Sequence, residues 1–161
     1  MRARRGFTLI EMLIVVAIIG IIVAISVANL VSAVQRAKQK RSMGDMRTVA
    51  LGVESYTTDY NRYPAAAGFL LPSGLSLPTA TLGDVAGQLT PTYLRTVPLL
   101  DGWNSWFTYS VSDTRYDYAI RSNGADGAPE SSPPFGPTHL FDSDIILVDG
   151  MFAQYPDGVQ K

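Results

Sequence analysis

The chain has no cysteine among its 161 residues, which excludes disulfides, thiolate metal sites and a cysteine nucleophile. Its one histidine, His139, stands in a proline-rich stretch that suits a surface position better than a catalytic one. No Gly-x-Ser-x-Gly, His-Glu-x-x-His or phosphate-binding loop occurs. An enzyme or sensor domain on a membrane anchor therefore finds no support among the residues. Basic charge is also scarce: 13 Lys and Arg stand against 14 Asp and Glu, for a net charge of −1. A nucleic-acid footprint needs a basic face, and none is expected here. A small domain outside the cytoplasm that lacks disulfides needs another staple, such as a metal or packing against neighbours.

Charge is absent altogether from residues 12–34, Met-Leu-Ile-Val-Val-Ala-Ile-Ile-Gly-Ile-Ile-Val-Ala-Ile-Ser-Val-Ala-Asn-Leu-Val-Ser-Ala-Val. As a helix such a run is roughly 35 Å long at ~1.5 Å per residue. That exceeds the ~30 Å hydrocarbon core of a bilayer. It is longer than the ~7–15 residue core of an ordinary secretory signal. Glu11 stands at the head of this run, inside an apolar stretch that begins at Phe7. A carboxylate deep in a membrane costs roughly 2.5–3.5 kcal/mol, and less near the interface. It is either a boundary acid at the headgroups or a charge with a partner. Basic residues flank both ends of the run, Arg2, Arg4 and Arg5 before it and Arg36, Lys38, Lys40 and Arg41 after it. The positive-inside rule consequently gives no orientation.

The contiguous residues Arg5-Gly6-Phe7-Thr8-Leu9-Ile10-Glu11 resemble the leader motif of type IV pilins and of the pseudopilins of type II secretion. The resemblance implies cleavage after Gly6 by a membrane-embedded prepilin peptidase and N-methylation of Phe7. It makes Glu11 an assembly residue, paired with the Phe7 α-amino group of a neighbouring subunit. It also places the leader in the cytoplasm, a single-pass helix in the bacterial inner membrane and the head in the periplasm. Expected partners are further copies of the chain, other pilins or pseudopilins, an inner-membrane assembly platform and membrane lipid. Losing residues 1–6 removes three arginines and leaves ten basic against fourteen acidic side chains. Many members of the family carry a proline about 22 residues into the mature chain; Ala28 stands there, followed by Asn29.

Beyond the membrane run, Met43, Met46, Ala50 and Val53 recur at helical spacing, widened by Val49 and Tyr56. The methionines read as core. The helix is expected to fade over 59–64, because Pro64 disfavours helix in the residue before it. Residues 64–82 read mostly as loop, with a short helix within 85–94 that Pro91 interrupts. Strands are expected at 106–111, 116–121, 144–148 and 151–155, the first two joined by the turn-prone Ser112-Asp113-Thr114-Arg115. Trp103 and Trp106 are expected in the core, although exposed they would suit adhesion. The expected fold is α+β, a long N-terminal helix packed on a small antiparallel sheet, the pilin fold. Its divisions are a leader at 1–6, a membrane and assembly half-helix at 7–34, an amphipathic half at 35–60 and a head at 61–161.

Asp101-Gly102-Trp103-Asn104, the loop Ser122-Asn123-Gly124-Ala125-Asp126-Gly127 and the later Ser143-Asp144-Ile145 resemble the major pseudopilin of type II secretion. That resemblance implies a calcium site serving in place of a disulfide. Asp126 and Asp144 are the expected carboxylate ligands, with Ser122 and Asp142 as further candidates. Calcium takes six to eight oxygen ligands, so loop carbonyls would complete the shell. The longer segment 129–141, rich in proline, departs from the family's shorter glycine-rich run. The implied function is a structural subunit of a secretion pseudopilus. A type IV pilin of a surface pilus, serving adhesion, motility or DNA uptake, is the alternative, and a membrane-anchored binding domain a remote one.

Overall fold

The computed structural model describes residues 6–66 and 80–160. Leader residues 1–5 and most of the loop expected at 64–82 lie outside the described residues. Helix α1 spans Leu9–Tyr60, β1 Ala80–Thr81, α2 Gly83–Leu89 and β2 Thr108–Val111. β3 follows at Tyr118–Ser122, β4 at Gly136–Thr138, β5 at Ile145–Val148 and β6 at Met151–Pro156. Two compact units meet between Val34 and Gln35.

In the first unit the large apolar side chains from Leu9 to Val34 are exposed. Two polar side chains within the run, Ser26 and Asn29, are satisfied by the helix itself. Ser26 Oγ donates to the Ile22 carbonyl at 2.8 Å, and Asn29 Nδ2 to the Ile25 carbonyl at 3.4 Å. Back-bonding of this kind hides polar groups from an apolar surrounding. The helix continues without a break through Ala28, where the family's proline would stand.

In the second unit the amphipathic face of α1 meets the sheet as its spacing predicts. Met46, Val49, Ala50 and Val53 are buried against Phe107, Tyr109, Tyr118, Ile120, Ile145 and Leu147. Leu82, Val85 and Leu89 close the core from the side of α2. Burying one such side chain stabilises by roughly 1.5–3 kcal/mol. The stop signal of α1 is Asn61 rather than Pro64. Asn61 has φ +53° and its N–H donates to the Thr57 carbonyl at 2.8 Å, a left-handed helix cap.

The sheet order is β1-β2-β3-β5-β6-β4. Neighbours are antiparallel except β4, which runs parallel to β6, with Gly136 opposite Gln154. The sheet is therefore mixed where a purely antiparallel one was expected. β4 lies in the proline-rich segment read as loop, and a proline is tolerated there because β4 is an edge strand. The short helix expected within 85–94 runs from Gly83 to Leu89, two residues earlier at its start, and ends ahead of Pro91. The first aromatic run contributes strand only from Thr108, and Trp106 sits in an isolated bridge to Leu100. Trp106 is 52% exposed, against the expectation of a core residue, while Trp103 is half-buried against the core.

The loop 101–105 latches the head to α1. Asp101 Oδ1 accepts the N–H groups of Trp103 and Ser105, and its Oδ2 accepts the Ser122 hydroxyl at 2.6 Å. Gly102 N–H donates to Ser42 Oγ, and Trp103 Nε1 donates to Gln35 Oε1 at 2.6 Å. A Cβ on Gly102 would lie 2.3 Å from the Lys38 carbonyl oxygen, a backbone atom that cannot swing aside. Gly102→Ala is expected to cost about 1–3 kcal/mol, the range for overpacking. Gly87→Ala, where a Cβ meets nothing within 4 Å, is expected to be neutral or slightly stabilising. Chemical denaturation of both variants checks this; equal midpoints would remove the latch.

Candidate functional site

The sequence singles out two groups of residues. The first lies at the start of α1. Gly6 and Phe7 precede the helix and are exposed, with no atom within 4 Å of a Cβ placed on Gly6. An exposed, non-helical peptide bond is the form a protease cleft accepts. Glu11 has a local role that its spacing shows. Thr8 precedes the first helical residue, and Glu11 stands at the third position. Glu11 Oε2 accepts the Thr8 N–H at 2.9 Å and its hydroxyl at 2.8 Å, and the Glu11 N–H donates to Thr8 Oγ1 at 3.3 Å. This is a capping box, whose Thr-x-x-Glu signature precedes an apolar run. A carboxylate in the first turn also faces the positive end of the helix dipole. Reading Glu11 only as an isolated charge misses that partner.

The second group lies at one end of the sheet. β3 and β5 pair with Ser122 opposite Ile145, so the register sets Asn123 beside Asp144. Gly124, at φ +68°, packs so tightly that a Cβ would lie 2.4 Å from the Asp142 carbonyl oxygen. The Ala125 N–H donates to the Phe141 carbonyl at 2.9 Å. The fold thus brings the loop 122–127 against 141–144, as the resemblance implies.

The side chains are less uniform. Ser122 is buried and spends its hydroxyl on Asp101. Asp126 is exposed and accepts the Ala128 N–H at 3.0 Å. Asp142 is exposed. Asp144 is fully buried, with Oδ2 accepting the Glu130 N–H at 3.0 Å and lying 3.6 Å from Nη1 of the buried Arg121. Burial pushes the Asp144 carboxyl up to about 6; the Glu130 N–H and the Arg121 charge pull against it.

Arg121 is the last residue of the strand expected at 116–121, and nothing in the local sequence links it to Asp144. It alternates with Ile120 and so lies on the sheet face away from α1, where the segment 129–135 covers it. Gln154 fastens that cover, donating to Glu130 Oε2 at 2.8 Å and to the Asp144 carbonyl at 2.9 Å. Gln154 Oε1 accepts the Phe135 N–H at 3.3 Å.

The donor set fits calcium in kind. Asp144 Oδ1 and Asn123 Oδ1 are both buried without a hydrogen-bond partner. Orphaned buried oxygens of this sort are uncommon, and an ion is one explanation of them. The set is not a carboxylate cage, however. Among the described residues no group of three acidic, histidine or cysteine side chains is placed to hold a metal.

A membrane-length apolar helix opened by this leader, and a sheet head packed on the second half of the same helix, define a pilin-like protein. The model of the prokaryotic N-terminal methylation motif matches residues 1–27, and that of type II secretion system protein G matches residues 29–134. The chain belongs to the type II secretion system protein G family. It is 31% identical over 131 residues to the type II secretion system core protein G of Pseudomonas aeruginosa, covering 78% of this chain and 87% of that one. The core protein G of Klebsiella pneumoniae is 28% identical over 138 residues, covering 84% of this chain and 95% of the relative. The type IV wide pilus major component of Thermus thermophilus is 30% identical over 134 residues, covering 83% of this chain and all of that one.

Proposed function

We propose that the chain is a structural subunit of the pseudopilus of type II protein secretion. It is held in the bacterial inner membrane with its head in the periplasm and polymerises after leader cleavage. The observation that carries this reading is the apolar surface of residues 9–34, exposed along its length. Such a surface needs lipid before assembly and the same segment of other copies after it. Head-to-tail packing that does not close into a ring then extends as a fibre. Cleavage falls between Gly6 and Phe7, Phe7 is methylated, and Glu11 meets the Phe7 amine of a neighbour. The role is structural rather than catalytic.

The similarity to the Thermus thermophilus wide pilus component favours a second reading, a pilin of a surface pilus. Mass spectrometry of the chain from cells with active peptidase is expected to show loss of Met1 to Gly6 and one added methyl group. An intact leader would sink both readings. Overproduction separates them, since short periplasmic fibres mark a pseudopilus and long surface fibres a pilus.

Calcium is the proposed staple of the head. Asp144 and the Asn123 side-chain carbonyl supply oxygens, with Asp126 and Asp142 from the adjoining loops. The ion would neutralise a buried carboxylate and tie the loop 122–127 to the segment 141–144.

A further inference from the structure

Four basic residues follow the uncharged run within eight positions, and α1 with the C-terminal tail sorts them into different roles. Arg41 pairs with Asp45 at 3.5 Å. Lys38 is half-buried, its backbone carbonyl against Gly102. Arg36 and Lys40, one helical turn apart and both exposed, have no ion pair or hydrogen bond among the described residues. They line a cleft of about 170 Å³, with Met43 on the helix side and Pro156, Asp157 and Gly158 on the other. The far wall is fixed in place. Gln39 Nε2 donates to Gln160 Oε1 at 3.2 Å, and Gln160 Nε2 donates to the carbonyls of Thr138 and Asp157, each at 2.7 Å. The Asp157 carboxylate is the one acid of the lining, and it accepts its neighbour Gly158 N–H at 2.8 Å. A second hollow adjoins the first, sharing Lys40 and Met43 and adding Arg47. Arg47 stacks its guanidinium over Phe152, 5.2 Å from the ring centre.

We propose that the cleft between Arg36, Lys40 and the C-terminal tail binds the phosphate headgroup of an anionic phospholipid. This rests on the reading that residues 12–34 span the membrane. Arg36 follows Val34 by two residues and Lys40 by six, about 3 and 9 Å of helix. The headgroup layer is roughly 5–7 Å deep beyond the hydrocarbon core. Arg36 therefore emerges inside that layer, and Lys40 reaches back into it along its flexible stem. Two cations one turn apart match one phosphate, and Met43 and Pro156 give the glycerol an apolar wall. An acidic surface on a second copy would answer the charge but would not need cations at this depth. The site would hold the unassembled subunit at a fixed height and rotation in the bilayer.

The test uses the full chain in zwitterionic detergent, with native mass spectrometry as the readout and dioleoyl phosphatidylglycerol or phosphatidylcholine as the probe. Phosphatidylglycerol is expected to be retained roughly thirtyfold more than phosphatidylcholine, given a gain of about 1 kcal/mol for each of the two basic residues near an anionic surface. Arg36→Ala with Lys40→Ala should bring the two lipids level, and Arg36→Lys with Lys40→Arg should keep the preference. Should the alanine pair melt early, Arg36→Gln with Lys40→Gln replaces it. Equal retention in the unaltered chain, or a preference that survives loss of both charges, overturns the proposal. So does displacement by inorganic phosphate, which marks a free-anion site. Dimers without lipid that vanish in the alanine pair would assign the cleft to a second copy instead. Carbonate extraction of the unaltered chain reads the membrane span separately, so failure of that premise is distinguishable from failure of the cleft.

Discussion

Glu11→Ala is expected to leave the chain inserted in the membrane and its head folded, while filament yield falls at least tenfold. The head contributes nothing to the expected loss, because Glu11 lies in the first turn of α1, remote in sequence from every core residue. Two effects must be separated. One is local: the capping box with Thr8 stabilises the start of the helix, and losing such a cap costs typically ~1 kcal/mol. The other is intermolecular: on the proposed pairing, the carboxylate would offset the positive amine of a neighbouring Phe7 in an apolar surrounding. Removing one partner of a desolvated pair costs about 3–5 kcal/mol, because the other charge is left alone. Glu11→Gln separates them, because a capping box accepts Gln as well as Glu at that position. If charge pairing drives assembly, Gln fails nearly as badly as Ala, and Thr8→Ala is mild. If capping dominates, Gln assembles and Thr8→Ala does not. Negative-stain electron microscopy and shearing assays count the filaments, and carbonate extraction confirms insertion. Normal filaments from both Glu11 variants would end the assembly role.

What was legible beforehand follows from how local each signal is. The membrane run, the leader and the buried stripe of Met46, Ala50 and Val53 are written in contiguous or helically spaced residues, and the structure displays the run and the stripe. β3, β5 and β6 are β-branched and aromatic runs, and their bounds fall within two residues of the expected ones. The misses are all nonlocal or two-residue events. β1 is two residues long and owes its pairing to Tyr109 and Thr108 of a distant strand. β4 reads as loop because its glycine and proline say turn, and its pairing comes from the distant β6, through the parallel ladder, the Gln154 bond to Phe135 and the Thr138 bonds to Tyr155 and Asp157. Trp106 is aromatic and still exposed, since it precedes the strand rather than lying in it. The head's buried ion pair joins Arg121 and Asp144, 23 positions apart, which no spacing rule reaches. The capping box, by contrast, is fully legible in the Thr8-x-x-Glu11 spacing ahead of an apolar run.

That ion pair carries the second large effect. Arg121→Met is expected to cost about 3–5 kcal/mol of folding stability at pH 7.5 and much less at pH 5. The unaltered head already leans this way. The Asp144 carboxyl is raised to about 6 in the folded protein, from 3.8 when unperturbed, and burial is the chief cause. A raised folded value means the folded state holds its proton longer than the unfolded one. The contribution is therefore fully present below about pH 4 and lost as pH rises through 6, an order of about 3 kcal/mol. Arg121 offsets part of this cost, although its Nε and Nη1 make no hydrogen bond. Replacing it with Met leaves the carboxylate buried and alone, so the penalty grows wherever Asp144 is ionised. Protonation at lower pH relieves it. Arg121→Met with Asp144→Leu removes both charges and is expected to recover most of the loss, as apolar replacements of buried pairs often do. On the proposed site, calcium raises the melting temperature at pH 7.5, where Asp144 is ionised, and does little at pH 5. Asp144→Asn should abolish that rise. Urea denaturation and thermal melting across pH 4.5 to 8, with calcium or with chelator, measure all of these together. An Arg121→Met loss that is the same at both pH values would separate Arg121 from the ionisation of Asp144. A calcium response that survives Asp144→Asn would move the ion elsewhere.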